Sequence, residues 1–188
     1  MRNIHVKTYG DIPYNYKEIF RYAGVTDPGK EVKDLLQECI SEANGVLQNK
    51  VCYGIFDYDG KSTSKALSKN LSGCSRVILF AATVGIQLDR LIMKYSKISP
   101  SKALMFQALG AERIESLCDT FCNDMNNELG VRLKPLYSAG YGDLPLEVQK
   151  DIFRVLDCPR KIGLTLNDSL LMSPTKSVTA IVGIEDEF

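Results

Sequence analysis

The amino-acid sequence predicts an α+β fold with a mostly antiparallel sheet. Strand-like runs are scattered among helical stretches without the strict alternation of a parallel βαβ protein. The run at 76–83 (RVILFAAT) is almost continuously apolar, as a central strand covered on both faces requires. The chain has 188 residues, 45% hydrophobic and 24% charged, which suits one domain over 1–188. A chain of this size buries roughly 70% of its unfolded surface, so it needs no disulfide or metal to hold a core.

Residues 15–23 form a first short helix, ended by Gly24. A second helix starts at Asp27-Pro28, with the acid as cap and the proline at the first helical position. Its residues Val32, Leu35, Leu36, Cys39, Ile40 and Ala43 recur at helical spacing and define one buried face. A strand follows at 51–58, closed by the Asp59-Gly60 turn, then a short helix at 62–70 and the central strand at 76–83. Helix resumes after Gly85, with Leu88, Leu91, Ile92 and Tyr95 on one side. Ser99-Pro100 opens a long helical region that reaches Leu129 and stops at Gly130. Ile114, Leu117, Cys118, Phe121 and Met125 form its apolar stripe, with Arg113, Glu115, Asp119, Asn123 and Asn126 largely off it. Residues 131–137 are extended, 138–143 form a loop, and 146–156 a helix with Val148, Ile152, Val155 and Leu156 inward. Strands at 164–166, 170–172 and 177–184 complete the chain.

Composition excludes several classes. Lys+Arg and Asp+Glu are both 23, so the basic excess of a general nucleic-acid or anionic-membrane binder is absent. The first eleven residues lack the pattern of a signal peptide, and no stretch has 18 apolar residues, so a cytoplasmic protein is expected. The six cysteines show no C-x-x-C, and the single histidine, His5, is remote from them in sequence, which argues against zinc and for reduced thiols. The charged clusters at 30–34 and 185–187 read as solvated surface.

The chemistry-bearing segment is the loop 138–143, Ser-Ala-Gly-Tyr-Gly-Asp. Gly140 and Gly142 allow positive φ or close approach of backbone to a ligand. Tyr141 offers a ring face and a hydroxyl, and Asp143 with Pro145 prepares a helix start that favours an anion. The ordinary alternative is a strand-to-helix turn with a packed tyrosine. Asp124, at the edge of the long-helix stripe, is either a ligand acceptor or a solvated acid. Cys118 and Cys122, at i and i+4, read as core packing.

Ser138-Ala139-Gly140-Tyr141 followed by a helix, the run 166–174 (LNDSLLMSP) and Lys176-Ser177-Val178 resemble the activation domain of cobalamin-dependent methionine synthase. The likeness is most specific over 136–184 and extends upstream through RVILFAATVG, LDRLI and the helix beginning at Ala111-Glu112-Arg113. It implies helices around a twisted antiparallel sheet, and S-adenosylmethionine bound at an Arg-x-x-x-Gly-Tyr loop. In that family the domain caps the cobalamin module when the cobalt is oxidised to cob(II)alamin. A flavodoxin-like reductant then supplies an electron, and S-adenosylmethionine supplies the methyl group.

The resemblance therefore implies a stand-alone reactivation domain for methionine biosynthesis, acting in trans on a synthase or other corrinoid protein. It would be part of a methyltransferase system rather than a complete enzyme, with cobalamin only on the partner and neither nucleic acid nor membrane bound. Carried over by position, the ligand-binding residues are Asn15, Asp124, Ser138, Ala139, Gly140 and Tyr141. The family's arginine falls on Leu136, its N-terminal aspartate on Asn15 and its helical acid on Asp124, with Arg132 and Lys134 the nearby cations. Leucine cannot make the charge-assisted bond an arginine gives a carboxylate. Hence the alternative reading: a non-catalytic docking module for a corrinoid protein that has lost S-adenosylmethionine binding. A pocket for another nucleotide-like ligand is a third.

Overall fold

Described over residues 3–185 in a computed structural model, the chain is arranged around the apolar run at 76–83. That run lies within β3 (Cys74–Thr83), which pairs antiparallel with β2 (Asn49–Asp57) on one side and β6 (Ser177–Glu185) on the other. β1 (His5–Tyr9) adds to β2, giving the order β1-β2-β3-β6. A separate ribbon joins β4 (Thr165–Leu166) to β5 (Met172–Ser173). With seven helices among the described residues, this is the α+β class that the scattered strand pattern predicts.

Successive β3 side chains point to opposite faces, and each face has its own core. Ile78, Phe80 and Ala82 face α5 (Pro100–Leu129), where Phe106, Leu109, Leu117 and Phe121 are fully buried. The Phe121 ring packs 4.9 Å from Phe80 and 5.1 Å from Tyr53. Val77 and Ala81 face a second core beneath α3 (Lys65–Asn70), α6 (Val148–Leu156) and α7 (Cys158–Ile162). The first face is completed by α1 (Tyr16–Tyr22), α2 (Lys30–Asn44) and α4 (Ile86–Ile98).

The boundaries of α5 follow their sequence signals, with Pro100 at the start and Gly130 at φ 62° as a left-handed cap. Other boundaries differ. Gly29 takes an extended cap conformation, so α2 starts after it rather than at Asp27-Pro28. Ser64 caps α3, accepting from the Leu67 amide at 3.0 Å, so that helix starts at Lys65 and not at residue 62. The expected strand at 170–172 shifts to Met172–Ser173 because Leu170 sits at φ 63°. β1 and α7 have no counterpart in the sequence reading. The first is an edge strand with weak alternation, and the second is too short to show helical periodicity.

The 30–34 cluster is largely exposed, whereas Glu185 accepts ion pairs from Lys134 (2.7 Å) and Arg132 (3.7 Å). Residues 186 and 187 of the other cluster lie outside the described residues. No helix among the described residues is long and apolar enough to cross a membrane.

One feature of the sheet positions the site. Residues 131–137 run antiparallel along the outer edge of β6, through Arg132 O to Glu185 N, Lys134 N to Gly183 O, and a reciprocal Tyr137–Ile181 pair of 2.8 and 2.9 Å. The chain then turns away at Ser138. The outward backbone groups of β6 alternate, so Thr179 presents the next set at an edge where no strand among the described residues pairs.

Candidate functional site

A cleft of about 370 Å³ occupies this open edge, within the size range of small-molecule sites. It is lined by Glu115 and Cys118 from α5, Leu136 to Ser138 and Tyr141 from the departing segment, Gln149 from α6, Met172, and the start of β6. The loop is held in shape by its own backbone: Gly140 N donates to Leu144 O at 3.0 Å, and Leu144 N to Tyr141 O at 3.0 Å. Gly142 is at φ 55°, and a Cβ there would stand 2.6 Å from the Tyr137 hydroxyl, which itself donates to Tyr141 O at 3.2 Å. This is a position only glycine fits. Tyr141 is 70% exposed and meets the Tyr137 ring edge-on, leaving one ring face at the mouth.

The inner wall carries the most informative atoms. Gln149 and Thr179 are 7% and 2% exposed, yet Gln149 Oε1 and Thr179 Oγ1 have no hydrogen-bond partner among the described residues. Buried polar atoms are almost always paired, because leaving one unpaired costs about 1–3 kcal/mol. The two atoms belong to different elements, and both residues line the one cleft. Glu115 stands at the rim. Desolvation, with Asp119 beside it, holds its carboxyl above the usual carboxylate range, while Arg21 pulls the other way. Burial pushes the Cys118 thiol well up, so it contributes a neutral wall.

The structure separates the residues the sequence grouped. Ser138 and Tyr141 line the cleft, while Ala139 and Gly140 form the turn between them, the Ala139 methyl joining the lower core. Asn15 lies elsewhere. Its side chain caps α1, accepting from Glu18 N at 3.3 Å, in a neighbouring groove that meets the cleft only through Glu115. Asp124 is farther along α5, 3.6 Å from Lys7. Asp143 does not start α6. Its carboxylate accepts from the Ser64 hydroxyl and from the amides of Lys65 (2.8 Å) and Ala66 (3.2 Å), tying the loop to the head of α3. Leu136 lines the cleft, and neither nearby cation replaces a missing arginine, because Arg132 and Lys134 are drawn to Glu185.

Glu115, Gln149 and Thr179 escaped the sequence reading. Glu115 sits three residues before the inward Cys118, at the margin of the stripe, which was the available signal. Gln149 shares a face with Ile152, Phe153 and Leu156, one step around α6 from the expected face.

Together, fold and cleft define an α+β domain whose sheet opens at one edge onto a site with one acid and two unpaired buried hydrogen-bonding atoms. No family model and no curated protein matches the chain. Among solved structures it is similar to the crystal structure of the MetH reactivation domain bound to AdoHcy. The TM-score is 0.72 at 13% identity, over 100% of this chain and 80% of that one. The chain therefore has the methionine synthase reactivation-domain fold.

Proposed function

We propose that the cleft binds S-adenosylmethionine and that the chain presents it, in trans, to a cobalamin-dependent methionine synthase or another corrinoid protein. The carrying observation is the pair of unpaired buried atoms, Gln149 Oε1 and Thr179 Oγ1, beside the Gly-Tyr loop. Gln149 Oε1 accepts from an N–H or O–H donor, Thr179 Oγ1 donates or accepts, and the free Tyr141 ring face takes a base by stacking. Glu115 faces the cationic end of the guest. The residues thus fit a nucleoside and a cation, but supply no cationic partner for a carboxylate.

Bound S-adenosylmethionine supplies an electrophilic methyl group. The chain's own residues act by position, holding the guest so that a methyl at the mouth faces a docked partner. The rim suits docking, since Leu136, Tyr141, Leu146 and Leu171 are exposed apolar side chains around the same loop and ribbon. The electron for the reductive step is assigned to a flavodoxin-like donor acting on the partner.

Calorimetric titration with S-adenosylmethionine tests the reading, the expected result being saturable heat below about 1 mM, a binding free energy beyond about −4 kcal/mol. Neither heat nor a thermal shift at that concentration overturns it. The absence of a cation in the cleft favours one second reading, a docking module for a corrinoid protein without the ligand. Co-purification with such a partner, together with a silent titration, selects it.

A further inference from the structure

The charge of the cleft is one-sided. Its lining contains Glu115 and no lysine or arginine. The surrounding cations are committed elsewhere. Arg21 bonds Glu18 at 2.6 Å, Lys134 bonds Glu185 at 2.7 Å, and Arg132 approaches the same Glu185. The Lys176 stem lies over Gly110, more than a turn before Glu115 along α5, and its charge faces Asp89. Gln149 and Thr179 are neutral, and Leu136 at the loop start is apolar.

In an α-amino acid the carboxylate and the ammonium hang from one carbon. A guest that brings its ammonium to Glu115 therefore brings its carboxylate within a few ångströms of the same acid. No positive side chain lines the cleft to offset the repulsion, and Arg21, which reaches Glu115 from the neighbouring groove, is already paired with Glu18. A guest with the same base, sulfonium and amine but no carboxylate meets only attraction.

Resting on the nucleoside reading above, we propose that this cleft selects its guest by positive charge, so that a decarboxylated sulfonium nucleoside binds more tightly than S-adenosylmethionine itself. Glu115 is the specificity-determining residue and acts through the amine. Gln149 and Thr179 read the neutral part and do not distinguish the two.

Calorimetry on the intact chain with three probes tests this. The probes are decarboxylated S-adenosylmethionine, S-adenosylmethionine and 5′-methylthioadenosine, with net charges of two plus, one plus and zero. The affinities should follow that order, the first exceeding the second by about five-fold or more at low salt. The gap should narrow as salt screens it. Glu115→Gln should reduce the gap to less than about two-fold. The wild-type order stands by itself if that variant folds poorly. S-adenosylmethionine binding as tightly as its decarboxylated analogue, or more tightly, overturns the proposal and leaves the nucleoside reading intact. No binding by any of the three overturns the nucleoside reading as well.

Discussion

Replacing Arg113 by methionine removes the centre of a buried network that fastens the N-terminal segment to the longest helix. Arg113 and Glu112 are each 2% exposed. The guanidinium donates to Glu112 Oε2 at 2.6 Å and Oε1 at 2.5 Å, and to the carbonyls of Ile12 at 2.6 Å and Pro13 at 2.7 Å. Its Cζ also lies 3.9 Å from the centre of the Tyr14 ring. After Arg113→Met the Glu112 carboxylate keeps only neutral donors, the Ser116 hydroxyl at 2.6 Å and the Asn15 amide at 3.0 Å. Breaking one side of a buried pair costs about 3–5 kcal/mol, because the remaining charge stays desolvated. At about 2–4 °C per kcal/mol for a chain of this size, the melting temperature should fall by about 6–20 °C. Glu112→Gln combined with Arg113→Met removes the stranded charge and keeps an acceptor for Ser116 and Asn15. That double variant should recover at least about 2 kcal/mol of the loss. Urea and thermal denaturation of the single and double variants measure both quantities. A single variant within about 2 °C of wild type, or a double variant no better than the single, refutes the reasoning.

Thr179→Val and Gln149→Leu should weaken nucleoside binding by about 1–2 kcal/mol each, roughly 5- to 30-fold, while leaving the ligand-free melting temperature unchanged or raised, because each removes an unpaired buried atom. Titration and melting curves read the two effects separately. Cation binding should strengthen as pH rises through the raised Glu115 pKa and level off above it, since only the ionised acid attracts; Glu115→Gln should flatten the profile measured by calorimetry. Asp143 is held below its ordinary value, chiefly by the Ser64 hydroxyl and then by the Lys65 amide. Its contribution to stability is therefore present above the unfolded carboxylate pKa and lost as pH falls through the lower folded one, and Asp143→Asn should lose this acid-side slope in urea melts. Gly142→Ala should destabilise by about 1–2 kcal/mol through its positive φ, with a further clash against the Tyr137 hydroxyl.

The parts of this fold written in local pattern were readable in the sequence. β3 declares itself by an unbroken apolar run, and α5 by a proline at its start and a glycine past its end. The loop conformation is equally local, since the two glycines at positive φ leave few ways to turn. What was not readable depends on neighbours distant in sequence. Arg113 looks like a solvent-side residue until residues 12–15 fold over it. Asp143 looks like the start of the next helix, yet its oxygens serve the head of α3, 78 residues earlier. Gln149 and Thr179 carry no sequence mark, because their role arises only where β6 loses its neighbour.

That loss ties the site to the fold. The segment 131–137 covers β6 as far as Tyr137, and the loop then swings out on Gly140 and Gly142, leaving the strand edge at Thr179 without a neighbouring strand. Had the segment continued by two residues, Thr179 would be paired by backbone and the cleft would close. The two glycines therefore do more than turn the chain, since they end the sheet early enough to leave hydrogen-bonding groups available at its rim. The same turn carries Tyr141 over the opening and places Asp143 on α3, so one short loop sets the ligand wall, the stacking face and the anchor that fixes both. A substitution that relaxed this loop should cost binding before it costs global stability, because the two cores on either side of β3 are built from other residues.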